Sequence, residues 1–331
     1  DPERLKEPTV KGSKAKWADV DDKILADLKN AKQIAVVANA ITSPTFKKVM
    51  DEFVAAYPNT KIYSYEVFDN STRKSAWQKC YGTRNMPVVK LEEAKIILAL
   101  ESDFLDTDEG HIENLRKFAY NRDVMSDREF NRLYAVEGAM TVTGMNADYR
   151  MRLKSDLIEE FVHCLISELL GKKKISNYAT DGRLTPIFGR SILDDFAKKN
   201  NLDKKIVENL VNDLSKAQGE SIVIAGDKMP ESTHIAVNFL NEILGNTKLY
   251  STEAQGFEVM ALSSKDDMNA LVNDMRSKKI DVVIHLDVNP AFNLAKNYKY
   301  DEALKNVNTR VAFSESANET TALCDYVLPV H

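Results

Sequence analysis

Short runs of apolar, mostly β-branched residues alternate along this chain with longer amphipathic stretches, and that alternation limits the folds open to it. Ile34–Ala38, Ile96–Leu100, Ser221–Ala225 and Ile280–Leu286 each read as a strand largely without the in–out pattern of a half-exposed sheet. Strands buried on both faces belong in parallel sheets covered by helices. The segments between them supply those helices. Trp17–Leu28 sets Trp17, Val20, Ile24 and Leu28 on one side at spacings of three and four. Ser43-Pro44 opens the next helix, a hydroxyl cap followed by a proline at the first turn. It runs to about Ala56 with Phe46, Val49, Met50 and Phe53 inward, and strand Lys61–Val67 then completes a parallel strand–helix–strand unit.

The theme returns with strand Ile96–Leu100, helix His111–Tyr120, strand Leu133–Val136 and helix Asp156–Leu170. A polar break at 171–186 precedes helices at about 188–199 and 203–217, the second capped by Asp203 or Asn201. Strand Ser221–Ala225 and helix Ser232–Leu244 follow. Helix Asp266–Arg276, strand Ile280–Leu286, helix Tyr300–Lys305 and strands Thr309–Phe313 and Tyr326–Leu328 complete the chain.

Two of these stretches echo each other. AKIILALESDFLD, a crossover helix and LYAVEGAMTVTGMNADYRMRL match IDVVIHLDVNPAF, a crossover helix and TRVAFSESANETTALCDYVLP. In each copy a buried strand ends in an acidic or polar loop, and a threonine stands five residues before an Asp-Tyr pair: Thr143 before Asp148-Tyr149, Thr320 before Asp325-Tyr326. Matching loops at matching spacing point to an internal repeat. Asp148 and Asp325 are then expected in equivalent places, each accepting backbone or threonine hydrogen bonds where a loop enters the next strand. The strand after each pair reads as an edge of its sheet.

Composition narrows the function. Hydrophobic residues make up 44% of the chain and charged residues 29%, the balance of a folded globular protein. The 45 basic and 50 acidic residues are interspersed and form no basic stripe, so no nucleic-acid partner is expected. Lys172-Lys173-Lys174 closes a helix, where cations offset the carbonyl dipole. No apolar run approaches the ~18 residues of a membrane span. The chain begins without Met and stops after a strand-like run, so both ends read as cuts through a longer protein.

Ligands of such folds sit beyond the carboxyl ends of the strands. That directs attention to Asn39–Ser43, Glu101–Asp106, Glu137–Thr143, and the pair Asp287–Ala291 with Ser314–Thr321. Two readings are open: these loops hold a heterocycle or phosphate, or they only cap helices and close turns. No GxGxxG follows a strand, Ala38-Asn39-Ala40 standing where glycines would admit a pyrophosphate, and GxxxxGK[ST] and HExxH are absent. The five histidines are scattered, and each reads as packed or solvated. Cys80, Cys164 and Cys324 share no short spacing, which argues against a disulfide framework or a CxxC metal site. Cys80, in a helix over Ser71–Tyr81, could ligate a soft metal; the reading preferred is a small buried apolar residue.

The C-terminal run resembles the molybdopterin oxidoreductase superfamily: a strand ending in Asn289-Pro290, a helix, a strand, then Glu319-Thr320-Thr321 leading to Asp325-Tyr326-Val327-Leu328-Pro329. The helix with Trp17, Ala18, Asp19 and Val20, and the segment GDKMPESTHIAVNFLNEILGN, are similar to further parts of that family. The middle segment, with EFNRLYAVEGAMTVTGMNADYRMRL, looks like the iron–sulfur, molybdopterin-like subunit of alternative complex III, a membrane-bound quinol:electron-acceptor oxidoreductase of bacteria. The resemblance implies an α/β fold of two Rossmann-like doubly wound parallel sheets, one domain inserted in the other. Residues 17–88 with 219–331 would form the outer domain, 89–218 the insert, and 1–16 an extended lead-in; a tandem split near 170–186 is the alternative.

For function, the resemblance implies a cofactor-free region that is not catalytic alone, at the periplasmic face of the inner membrane, with other subunits of a respiratory complex as partners. Iron–sulfur clusters are expected only outside this span. The alternative is a fragment of a catalytic member binding molybdopterin guanine dinucleotide, with Cys80 as metal ligand. Vestigial cofactor contacts would fall on Asn289, Pro290, Ser314, Glu319, Thr320, Thr321 and Asp325. In the first copy the corresponding loops read Ser102-Asp103-Phe104 and Glu137-Gly138-Ala139. There Glu137 and the cluster Glu101, Asp103, Asp106, Asp108 and Glu109 would repel a pyrophosphate.

Overall fold

A computed structural model describes residues 3–125, 127–188, 192–255 and 259–330. The chain divides into two compact units, residues 1–68 with 258–331 and residues 69–257. The first unit opens with a hairpin of β1 (Thr9–Val10) and β2 (Ser13–Lys14), then α1 (Trp17–Asn30), β3 (Ile34–Ala38), α2 (Pro44–Ala56) and β4 (Thr60–Ser64). Ser43 caps α2, its hydroxyl accepting the Phe46 N–H at 3.2 Å. Val20 and Leu28 of α1 and Met50 of α2 are buried, but Trp17, Phe46 and Val49 are exposed. The apolar stripe is thus narrower than its spacing predicts. For α2 the reason is place: it joins β3 to the end strand β4, where less of the sheet lies beneath a helix.

The second unit contains α3 (Ser71–Tyr81), β5 (Pro87–Val89), β6 (Ile96–Leu100), α4 (His111–Tyr120), β7 (Arg132–Glu137), α5 (Val142–Met145) and β8 (Tyr149–Arg152). It continues with α6 (Ile158–Ser167), α7 (Thr185–Phe188), α8 (Leu193–Lys199), α9 (Lys204–Lys216), β9 (Ser221–Ala225), α10 (Glu231–Ile243) and β10 (Tyr250–Gln255). Its main sheet runs β8-β7-β6-β9, all parallel, and β5 pairs with β10 antiparallel. Phe161 and Leu165 of α6, Leu210 and Leu214 of α9 and Leu240 of α10 fill one face. Leu91, Phe104 and Phe118 fill the other. Asp203, not Asn201, caps α9, accepting the Lys205 and Ile206 amides at 2.8 and 3.1 Å. The helix expected at 188–199 is instead α7 and α8; residues 189–191 between them lie outside the described residues.

Back in the first unit come α11 (Lys265–Arg276), β11 (Val282–Leu286), α12 (Pro290–Asn293), α13 (Tyr300–Leu304), β12 (Thr309–Ser314) and β13 (Tyr326–Pro329). The sheet order is β2-β1-β13-β12-β11-β3-β4, parallel from β13 to β4. Ile34 pairs with Val282, so one sheet draws on both ends of the chain, and the tandem alternative fails. The boundaries differ from 88/89 and 218/219. Residues 69–88 and 219–255 belong to the second unit, because β9 pairs with β6 and β10 with β5. The reason is that β9 and β3 are both short apolar strands of five residues, and only pairing tells which sheet each joins. The lead-in also does more than extend. β1 pairs with β13, Thr9 opposite Val327, so β13 is not an edge, whereas β8 is.

The two copies of the repeat are equivalent in structure. Asp148, just before β8, accepts the Leu133 N–H at 2.8 Å and returns its own N–H to Leu133 O at 2.9 Å. Asp325, just before β13, does the same with Arg310 at 3.1 and 2.8 Å. Each carboxylate also meets a guanidinium, Arg122 for Asp148 and Arg310 for Asp325. The donors to each carboxylate are backbone N–H and arginine; the threonines lie at the other end of the strands. The Asp325 side chain is 12% exposed and that of Asp148 32%, so solvent screens the second pair more. Asp325→Ala should therefore cost about 2–3 kcal/mol and Asp148→Ala about 1–2 kcal/mol in urea unfolding. An unchanged midpoint for Asp325→Ala would contradict the assigned role.

Candidate functional site

At the carboxyl end of the first sheet the chain turns sharply after β11. Asp287 adopts φ 50°, and its N–H donates to Phe313 O at 2.8 Å. This turn carries Asn289 toward the loop after β12. Asn289 Oδ1 accepts both the Thr320 N–H (3.1 Å) and the Thr320 hydroxyl (2.8 Å), while its Nδ2 donates to Glu319 Oε2 at 2.7 Å. Thr320 Oγ1 accepts the Ala291 N–H at 3.1 Å in return. Pro290 is buried at the first turn of α12. Thr321 and Asn318 bond each other, Asn318 N–H to Thr321 Oγ1 at 2.7 Å and Thr321 N–H to Asn318 Oδ1 at 2.9 Å. Ser314 donates to Ser316 O at 2.8 Å. The Asn289 amide holds the Glu319 carboxyl below its usual range. Six of the seven residues chosen from the sequence thus gather here. Asp325 does not, because it sits where β13 begins, at the opposite end of the sheet.

The second unit repeats this clasp. Glu101, first after β6, adopts φ 49° and donates its N–H to Val136 O at 2.9 Å. Asp103 Oδ1 accepts the Thr143 N–H at 2.9 Å, and Thr143 Oγ1 accepts the Leu105 N–H at 3.1 Å. Asp103 therefore takes the place of Asn289, and Leu105 that of Ala291. Thr143 and Thr320 are fully buried.

The acidic side chains around this clasp are consumed locally. Glu137, 1% exposed, accepts Arg150 Nε at 2.6 Å and the Thr141 hydroxyl at 2.7 Å. A Cβ on Gly144 would stand 1.8 Å from Glu137 Oε1, so only glycine lets that carboxylate lie against α5. Glu101 Oε1 accepts the Gly138 N–H at 2.6 Å and the Ser155 hydroxyl at 2.9 Å. Asp108 accepts the Ser102 hydroxyl at 2.7 Å, and burial, then nearby Asp227, raises its pKa. Arg150, the cation that neutralises Glu137, was not singled out from the sequence; its place two residues past the Asp-Tyr aspartate was the signal available.

These residues do not fit a pyrophosphate-bearing pterin dinucleotide. In the second unit the Thr143, Leu105 and Gly138 amides are held by Asp103, Thr143 and Glu101, and in the first the Thr320 and Ala291 amides by Asn289 and Thr320, so these donors are taken by neighbouring side chains. Cys80 is exposed on α3, 3.6 Å from Asn238 Nδ2, rather than buried; α3 turns Ala76 and Trp77 inward instead. Among the described residues no group of three or more His, Cys, Asp or Glu is placed to hold a metal ion.

No family model matches the sequence, and no curated protein sequence does either. Solved structures do. The acetylene hydratase of Pelobacter acetylenicus superposes with a TM-score of 0.67 at 13% identity, covering 99% of this chain and 55% of that one. The likeness shows a shared α/β fold with parallel sheets. The chain spans about half the length of that relative. The formyltransferase/hydrolase complex FhcABCD of Methylorubrum extorquens, solved with methylofuran, gives a TM-score of 0.54 at 12% identity, covering 98% of this chain and 86% of that one.

Two outcomes follow from this geometry. Thr320→Val and Thr143→Val should each cost about 1–2 kcal/mol through the stranded Ala291 or Leu105 amide, with serine restoring most of the loss; an unaffected valine variant would contradict the clasp. His285, fully buried, donates Nδ1–H to Val311 O (3.1 Å) and accepts the Tyr300 hydroxyl (2.9 Å), and burial lowers its pKa from 6.5 to about 4. The unfolded chain binds this proton first. Stability should fall as pH drops from about 6.5 to about 4, by roughly 3 kcal/mol from this group. Histidine NMR titration in the folded protein checks it, and a normal His285 pKa would contradict it.

Proposed function

We propose that this chain is the cofactor-free, molybdopterin-oxidoreductase-like region of an electron-transfer subunit in a respiratory quinol-oxidising membrane complex, serving as a scaffold on which other subunits dock. The observation that carries this reading is the clasp at the mouth of each sheet. Where a catalytic relative would present free amides and hydroxyls to a pterin dinucleotide, Thr143 with Asp103 and Thr320 with Asn289 bond each other. A loop built that way keeps the fold and gives up the ligand. The resemblance of EFNRLYAVEGAMTVTGMNADYRMRL to the alternative complex III subunit supplies the choice of complex and the periplasmic side. The likeness to a chain solved in the FhcABCD complex supports a role among subunits.

Metal and pterin content of the longest natural chain, purified with whatever subunits accompany it, tests this reading. Molybdenum and oxidised-pterin fluorescence should be absent from the part spanned here, and any iron should be lost when the remainder of the chain is removed. Stoichiometric molybdenum with a pterin signal would favour the catalytic alternative.

A further inference from the structure

The open edge of β8 has a counterpart whose edge is covered, and the comparison says what β8 can bind. On β13, Asp325 turns its N–H inward to Arg310 O and its carbonyl outward, where the Lys11 N–H meets it at 2.7 Å. β1 lies along that edge antiparallel, Val10 opposite Tyr326. On β8, the Leu153 N–H goes inward to Glu137 O, as the Val330 N–H goes to Ser314 O beside β13, so the main chain one residue before it faces outward. Alternation turns the main chain of Arg150 and Arg152 the same way. Among the described residues the sheet ends at β8, and no strand pairs with that side.

The edge is not smothered by other structure. A groove of about 810 Å³ runs between β8 with the residues that follow it and the turn joining α8 to α9. β8 offers about 13 Å of edge at ~3.3 Å per residue, enough for a strand of four or five residues. Its lining is basic. Arg152, Lys154 and Lys199 are exposed and have no ion-pair partner among the described residues. Arg150 is paired with Glu137, and Asp203 is occupied by the α9 amides. A second copy of β8 added antiparallel would set Arg150 of each copy opposite Arg152 of the other, so self-pairing is disfavoured. A compact anion finds no free helix end here, because Asp203 already caps α9.

We infer that β8 is a docking edge for an extended acidic segment of a partner protein, added antiparallel as β1 is added to β13. Main-chain bonds supply the pairing, and Arg152, Lys154 and Lys199 select an acidic strand over a basic one. This surface is independent of whether a pterin binds in the chain.

The probe is a fluorescein-labelled hexapeptide, EVEVEV, followed by anisotropy at low salt, with KVKVKV and an EVEVEV analogue N-methylated at alternate residues as controls. EVEVEV should bind saturably; the lysine peptide and the N-methylated peptide should not. Arg152→Glu with Lys199→Glu, both exposed and away from the core, should weaken EVEVEV at least tenfold and confer binding of KVKVKV. Unchanged EVEVEV binding in the double variant would overturn the site. Equal binding of the N-methylated peptide, or displacement of EVEVEV by pyrophosphate at constant ionic strength, would show a charge effect without strand pairing and would overturn the mode.

Discussion

A parallel sheet leaves polar main-chain groups exposed where its strands end, and something must bond them. In many α/β proteins a ligand does part of that work. Here a buried threonine does. Its N–H goes to an Asp or Asn on the neighbouring loop and its hydroxyl takes an amide two residues further along that loop, in both units. The sharp turn that makes this reach feasible is also shared, with Glu101 and Asp287 near φ 50° as the first residues after their strands. These bonds satisfy the amides of each clasp from within the chain. In the second unit the same closure lets Glu137 be buried against Arg150 at low cost, since a paired carboxylate is tolerated where a lone one is not.

The repeat was legible in the sequence because its constraint is local. A threonine and an aspartate five residues apart bracket the short crossover into the next parallel strand, and both members appear at equivalent places in the two units. The strands were legible for a similar reason, since unbroken apolar runs leave few alternatives to burial in a parallel sheet. What escaped was non-local or small. β1, β2 and β5 are too short to carry a pattern and β10, YSTEAQ, lacks an apolar run, and all four form because another strand lies beside them. The sheet joined by β9 depends on its pairing with β6, a choice that its own five residues do not encode.

The candidate site divides in the same way. Asn289, Thr320 and Glu319 were found because the family pattern places them on facing loops. Asp325 belongs to the same family motif, yet a strand direction separates it from them: a residue that opens a parallel strand lies at the far end from one that follows the previous strand. A free cysteine usually packs as a small apolar residue, which is why Cys80 reads as buried, but Trp77 is the residue that α3 turns inward. Arg150 went unnoticed because an arginine on a strand gives no sign of its partner until Glu137 is seen beside it.

Amide hydrogen exchange at Leu105, Thr143, Ala291 and Thr320, followed with and without millimolar guanosine diphosphate, reads the closure of both mouths directly. The account predicts that all four amides exchange as slowly as those of the adjoining strands, and that the nucleotide changes none of them. Fast exchange that slows when the nucleotide is added would contradict it, because the loops would then be waiting for a ligand.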